Sequence, residues 1–195
     1  MPASITPTWP QYWSNKPLLT DPPERTCSQA RPMNQSLYVS DTNIWIDFGR
    51  AGLLDALFEL PFTYLSTDFV IGELTYPDPE GLRQRGLVSE GLNETEIAAL
   101  FGLMAEHNNS SLADVSCYLL AKTKCLPLLT GDGRLRKQAL KDGLEVHGAL
   151  WLLDQLLVYA VVPPQRAAAA LLTMRAAGAR LPEAECLHRL AIWQA

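Results

Sequence analysis

Apolar residues recur along the chain with two different periods, and the switches between them mark out the elements. The run closing at Asp41 reads as a strand from Leu37, and Leu53 to Leu60 has helical spacing. Phe62 to Leu65 reads as a second strand, after which Ser66 or Thr67 is placed to cap a short helix through Leu74, ended by Pro77. Residues 78–86 read as a loop and Leu87 to Ser89 as a short strand. Asn93 is a cap for a helix whose Ile97, Leu100, Phe101 and Met104 share one face. Ser110 or Ser111 caps the next helix, with Leu112, Val115 and Leu119 as its apolar stripe. Cys125 to Thr130 is a buried strand, Pro127 being tolerable near its start. Gly131-Asp132-Gly133 turns into a basic helix, Leu144 to Val146 is a last strand, and helices follow at roughly 149–160, 165–177 and 183–194.

Strands alternating with helices imply a parallel sheet covered on both faces, hence a three-layer α/β/α domain. Residues 1–36 hold seven prolines without either periodicity and read as an irregular or disordered tail; Met33, just before the pattern begins, is an alternative start. Residues 37–160 form the core, and 161–195 supply further helices packing on it. Their amphipathic faces, including Ala167 to Leu172 and Leu187, Leu190, Ile192 and Trp193, suit that packing and are also a surface for a partner protein or a second copy of the chain.

Composition narrows the function classes. No apolar run reaches the ~18 residues that cross a bilayer, and the N-terminus lacks the basic-then-apolar order of a secretion signal, so a cytoplasmic location is expected. Cys27, Cys117, Cys125 and Cys186 have no zinc-like spacing and are expected to be reduced thiols. A net charge of −5 argues against adhesion to nucleic acid through bulk charge, so any such chemistry must rest on a local site.

Open parallel sheets bind ligands at the carboxyl ends of their strands. Asp41 closes the first strand and Asp132 follows the strand ending at Thr130, so both face one rim. Asp114 stands in a first helical turn, and Glu73 on the short helix after the second strand. Converging carboxylates suit a hard cation, which takes oxygen ligands and offsets their mutual repulsion. Taken singly, Asp114 has an ordinary use in complementing a helix dipole, Asp132 as a cap and Glu73 as a solvated helix residue. Asp41, an acid closing a buried strand, has no such explanation. Arg134, Arg136 and Lys137 open the helix after Asp132 and are candidates to supply, for an RNA-phosphate contact, the local positive charge that the net-acidic chain otherwise lacks.

Four segments carry a resemblance: Val39-Ser40-Asp41-Thr42-Asn43, Val70-Ile71-Gly72-Glu73-Leu74, Leu112-Ala113-Asp114, and Leu128-Leu129-Thr130-Gly131-Asp132-Gly133-Arg134-Leu135-Arg136. From residue 37 to about 160 the chain resembles the PIN-domain (PilT N-terminus) family, and within it the VapC-like toxin ribonucleases. The resemblance implies one or two Mg²⁺ or Mn²⁺ ions held by Asp41, Glu73, Asp114 and Asp132 as the catalytic set, with Asn43 and Thr130 supporting them by hydrogen bonding. It also implies hydrolysis of RNA to 5′-phosphate and 3′-hydroxyl ends, a cognate antitoxin and a homodimer.

Other readings fit less well. His107, His147 and His188 are scattered with no partner at short spacing, which gives a metal-free acid/base nuclease little support. Arg136 stands where a dinucleotide fingerprint needs its third glycine, no G-x-S-x-G elbow is present, and Asn43 replaces the second Asp of a haloacid-dehalogenase phosphatase. A non-catalytic PIN-like or receiver-like binding module, or an RNA-processing nuclease without an antitoxin, are the remaining alternatives. Trp45 and Tyr76 are candidates to stack on an unpaired base, but both are rather expected in the core or its wall.

Overall fold

The structure, a computed structural model, describes residues 36–106 and 110–194. Five parallel strands, β1 (Ser36–Ser40), β2 (Phe62–Thr67), β3 (Val88–Glu90), β4 (Leu128–Leu129) and β5 (Val146–His147), lie in the order β3-β2-β1-β4-β5. The chain builds outward from β1 to β3 and then returns to the other side of β1. The strand order therefore reverses between β1 and β4, where Val39 pairs with Leu128 and Ser40 with Leu129.

Ten helices flank this sheet among the described residues: α1 (Thr42–Arg50), α2 (Leu54–Glu59), α3 (Asp68–Glu73), α4 (Pro79–Arg85), α5 (Glu94–Glu106), α6 (Leu112–Lys124), α7 (Gly133–Lys141), α8 (Ala149–Val158), α9 (Pro164–Ala176) and α10 (Glu183–Trp193). One layer gathers α3, α5 and α7 around α6, and the other packs α1, α2, α8 and α9 together, with α10 on α9. The three-layer α/β/α reading is correct.

Several boundaries differ from expectation for local reasons. Helix α1 had no assignment, yet it begins immediately after β1 because the Asp41 carboxylate accepts from Ile44 N at 3.1 Å. The loop expected at 78–86 is helix α4, with Asp78 accepting from Gly81 N, Pro79 in its first turn and buried Leu82 as its anchor. Gly86 ends it at φ 116°, a conformation only glycine adopts without strain. The strand expected from Cys125 is confined to two residues, since Cys125 itself is the left-handed cap of α6. Phe101 does not share the buried face with Leu100: it is 64% exposed.

Of the alternative caps, Thr67 and Ser111 are the ones used, and Asn93 forms a reciprocal capping box with Glu96. Ala167, Leu171, Leu190 and Trp193 bury the inner faces of α9 and α10, while Leu187 and Ile192 face outward. Cys117 and Cys186 are buried free thiols, as expected of reduced cysteines. Cys125 is instead disulfide-bonded, which corrects that expectation at one position. The proline-rich stretch lies outside the described residues, as does His107. No helix among the described residues is long and apolar enough to cross a membrane.

The core joins β1, β2 and α1 through a polar relay. Trp45, fully buried and stacked on Phe58, donates its indole N–H to Ser66 Oγ at 3.1 Å, and Ser66 Oγ donates to Ser40 O at 2.8 Å. Removing the hydroxyl leaves a buried indole N–H without an acceptor, which costs about 1–3 kcal/mol. Ser66→Ala is expected to lower the urea midpoint accordingly; an unchanged midpoint would show that Trp45 finds another acceptor.

Candidate metal centre

Asp41 is fully buried at the switch point, where β1 ends and α1 begins. Three groups donate to its carboxylate: Ile44 N to Oδ1 at 3.1 Å, and Thr130 Oγ1 and Gly131 N to Oδ2 at 2.6 and 3.1 Å. Burial pushes its pKa above the usual carboxylate range, against hydrogen bonds from Thr130, Ile44, Gly131 and Asn43 that pull it down.

The second strand end mirrors the first. Asp132 caps α7, its Oδ1 accepting from Arg134 N at 2.7 Å and Leu135 N at 2.9 Å. Its own backbone N–H donates to Thr130 Oγ1 at 3.0 Å. The Thr130 hydroxyl thus joins the two junctions, donating to Asp41 and accepting from the Asp132 N–H. Asn43 lies beside Gly131, where an added Cβ would meet the Asn43 Cβ at 3.3 Å.

Asp114 enters from α6, whose first turn is set by Ser111 Oγ accepting from Asp114 N. It is 7% exposed, and its Oδ1 is a buried oxygen with no hydrogen-bond partner among the described residues. Burial first, then the charges of Asp41, Glu73 and Asp132, push its pKa up to about 7, while Ser111 pulls the other way. Glu73 itself is exposed at the end of α3. Its helix is held against α6 by Thr67 Oγ1 and Ser116 Oγ at 2.6 Å, with Ser116 Oγ donating to Ala113 O.

Asp41, Glu73 and Asp132 therefore all lie near enough to act electrostatically on Asp114. Among the described residues, however, no group of three or more His, Cys, Asp or Glu side chains is spaced to hold a metal ion. A groove of about 830 Å³ is lined by Asn43, Asp114, Thr130 and Asp132 together with Trp151, Asp154 and Arg180.

Three residues depart from the simple picture. Arg136 turns inward and donates to Val146 O and Thr130 O, bracing β4 and β5; Gly148 leaves room for it, since a Cβ there would come within 2.7 Å of the guanidinium. His147 is not partnerless: Nε2 lies 2.9 Å from Glu145 Oε1, and its ring stacks on Trp151. Asp47, which had no assigned role, lines the groove nearly buried. Burial and the Asp41 charge raise its pKa to about 6, with Arg50 opposing. Its signal was an acid between Ile44 and Phe48 on the apolar face of α1, legible only once that helix is recognised.

The raised pKa of Asp114 has a direct consequence for the metal-free protein. From an ordinary 3.8 to about 7, the folded state holds a proton that the unfolded chain has released. Stability tied to this group is intact at acid pH and falls as pH rises through that window. With chelator present, Asp114→Asn is expected to be more stable than wild type at pH 8, on the order of 1–3 kcal/mol, the gain shrinking toward zero near pH 4. A gain independent of pH, measured by thermal melts, would mean that ionisation of Asp114 is not its source.

A family model described as DUF3368: PIN domain matches residues 37–194. No curated protein matches the chain. Among solved structures, a PilT N-terminus domain protein, SSO1118, from the hyperthermophilic archaeon Sulfolobus solfataricus P2 is similar at a TM-score of 0.43 and 10% identity, over 63% of this chain and 92% of that one. Since the family match runs through every helix, nearly the whole sheet and all four acids, the chain belongs to the PIN-domain family.

Proposed function

We propose that this protein is a metal-dependent endoribonuclease that hydrolyses RNA phosphodiester bonds, and that it serves as the toxin of a type II toxin-antitoxin module. PIN domains are generally nucleases, which supports a hydrolase. The observation that carries the reading is Asp114 Oδ1, a buried carboxylate oxygen without a hydrogen-bond partner among the described residues, in a carboxyl whose pKa burial and then three other acids push up. Such an atom costs stability unless something positive meets it.

The donor set fits a hard cation in kind. All four candidates are carboxylates, and Asp114 Oδ1 has no hydrogen-bond partner among the described residues. Asp41, Glu73, Asp114 and Asp132 would hold one or two Mg²⁺ or Mn²⁺ ions, and the absence of ligand spacing at present means that holding them requires these side chains to reorient. A bound ion supplies positive charge against the phosphoryl oxygens and acidifies water at neutral pH. Thr130 and Asn43 fix the Asp41 carboxylate, the α7 amides fix Asp132 Oδ1, and the buried floor keeps their charges poorly screened. His147, engaged with Glu145 and Trp151, is not needed.

The toxin role rests on the likeness of the four acid-bearing segments to VapC-like ribonucleases; a cognate antitoxin and a homodimeric assembly belong to the same reading. Growth arrest of a bacterial host on expression, relieved by the product of an adjacent small gene, is the test of the role.

Incubating the purified protein with total bacterial RNA and Mn²⁺, then mapping new 5′ ends by sequencing, is expected to give cuts that vanish with chelator. Asp114→Asn should lose more than about 100-fold in rate while remaining folded. No cuts above that control would overturn the nuclease reading. Thr130→Val, which removes the donor to Asp41, is expected to lose roughly 10–100-fold. Wild-type rates in that variant would show that the hydroxyl is structural only.

A further inference from the structure

Most cations of the described chain are spent within the fold. Arg83, Arg85, Lys122, Lys124, Arg175 and Arg189 pair with carboxylates, while Arg50, Arg136 and Arg166 donate to backbone carbonyls. Four are left with no such partner among the described residues: Arg134, Lys137, Lys141 and Arg180. Three of these four, Arg134, Lys137 and Arg180, line one open depression of about 470 Å³, whose remaining lining is Asp132 and Gly133. In a chain with a net charge of −5, most of the positive charge left unpaired among the described residues thus gathers beside one of the candidate metal ligands.

The three come from two places. Arg134 and Lys137 stand three apart on α7 and so share a face. Arg180 arrives from the connection between α9 and α10, outside all four motif segments. That connection is anchored: Arg50 Nη1 donates to Ala177 O at 3.3 Å, Leu181 N donates to Ala179 O at 3.0 Å, and Arg175 pairs with Glu183 at 3.0 Å across it. Below it, Arg189 pairs with Asp154 at 2.7 Å and fastens α10 to α8. Arg180 also lines the groove that holds Asp114 and Asp132, so it stands where the depression and the groove meet.

We infer that Arg134, Lys137 and Arg180 form a phosphate-binding subsite that seats the backbone of a single RNA strand next to the cleavage centre, with Arg180 guiding the strand into the groove. The inference rests on the nuclease reading of the acids. It replaces Arg136, whose guanidinium is committed to Thr130 and Val146, with Lys137 and Arg180. Phosphate contacts of this kind position a strand without reading its sequence. They also give an acidic protein local affinity for a polyanion that its bulk charge would repel.

The test is binding without cleavage. In the Asp114→Asn background, fluorescence anisotropy with a labelled 12-nucleotide RNA is measured over a salt series. Arg180→Ala and Arg134→Ala/Lys137→Ala are each expected to weaken binding about five- to tenfold at low salt and to flatten the log K against log salt slope by about 0.7 per cation removed. Lys141→Ala removes the same charge from α7 outside the depression and is expected to leave both values unchanged. A DNA strand of the same sequence should show the same dependence, since phosphates are read. The subsite is overturned if Arg180→Ala binds like its parent, if Lys141→Ala loses as much, or if an acidic peptide such as oligoglutamate competes at the same concentration as RNA. Because no step requires turnover, a wild-type protein that binds through these residues yet cuts nothing would sink the nuclease reading and leave the subsite standing.

Discussion

Everything at the functional rim depends on how a fully buried carboxylate, that of Asp41, is kept in place. Taking an isolated carboxylate out of water costs several kcal/mol, and hydrogen bonds to a charged group return about 1.5–3 kcal/mol each. Asp41 collects Ile44 N, Thr130 Oγ1 and Gly131 N, and burial still pushes its pKa upward. The donors belong to two different junctions. The residue that ends β1 and caps α1 is held by the loop that ends β4, so the group that stabilises the buried charge also fixes the strand order reversal at which the groove opens. The junction of β1 with β4 and the geometry of the site are therefore held by the same three hydrogen bonds.

From there the constraint spreads through hydroxyls and a thiol rather than through ion pairs. Ser40 O, one residue before Asp41, accepts from Ser66 Oγ at 2.8 Å and from Cys117 Sγ at 3.2 Å, tying β2 and α6 to the end of β1. Thr67, next to Ser66, bonds Ser116, next to Cys117. The result is a double stitch between β2 and α6 directly beneath Asp114. Small polar side chains suit this position, because each satisfies its neighbours without adding a charge to a region already crowded with carboxylates. Burial and nearby acids push the Cys117 thiol far up, so it remains protonated and serves as a donor.

The parts of this arrangement that follow from local pattern were legible in the sequence. Strand identities, the alternation that requires a parallel sheet, and the acids at the strand ends come from short-range periodicity and turn chemistry. Helix α1 was missed because Asp41 was read as a strand end only; the same residue also caps a helix, its Oδ1 accepting from Ile44 N while Oδ2 is taken by Thr130 and Gly131. Helix α4 was missed because Pro79 and Gly86 are loop formers in isolation, and only the burial of Leu82 decides for a helix. The inward turn of Arg136 could not be read, since it needs the space left by Gly148 from a distant loop. The convergence of Arg180 with α7 is likewise a tertiary fact, carried by the packing of α9 and α10 on the core.

The pattern of satisfied and unsatisfied groups separates what serves the fold from what does not. Buried Ser40, Ser66, Thr67, Ser116 and Thr130 all make hydrogen bonds, as folding alone demands. The two buried side-chain oxygens without a partner among the described residues are Thr42 Oγ1 and Asp114 Oδ1. The first adjoins Asp41 in sequence and the second adjoins it electrostatically, so both exceptions gather at the one place where carboxylates already oppose each other. A sequence shaped for stability alone would place asparagine or serine at position 114 and lose the repulsion. Keeping an aspartate there sacrifices stability above neutral pH, a sacrifice that makes sense where a positive ligand completes the group.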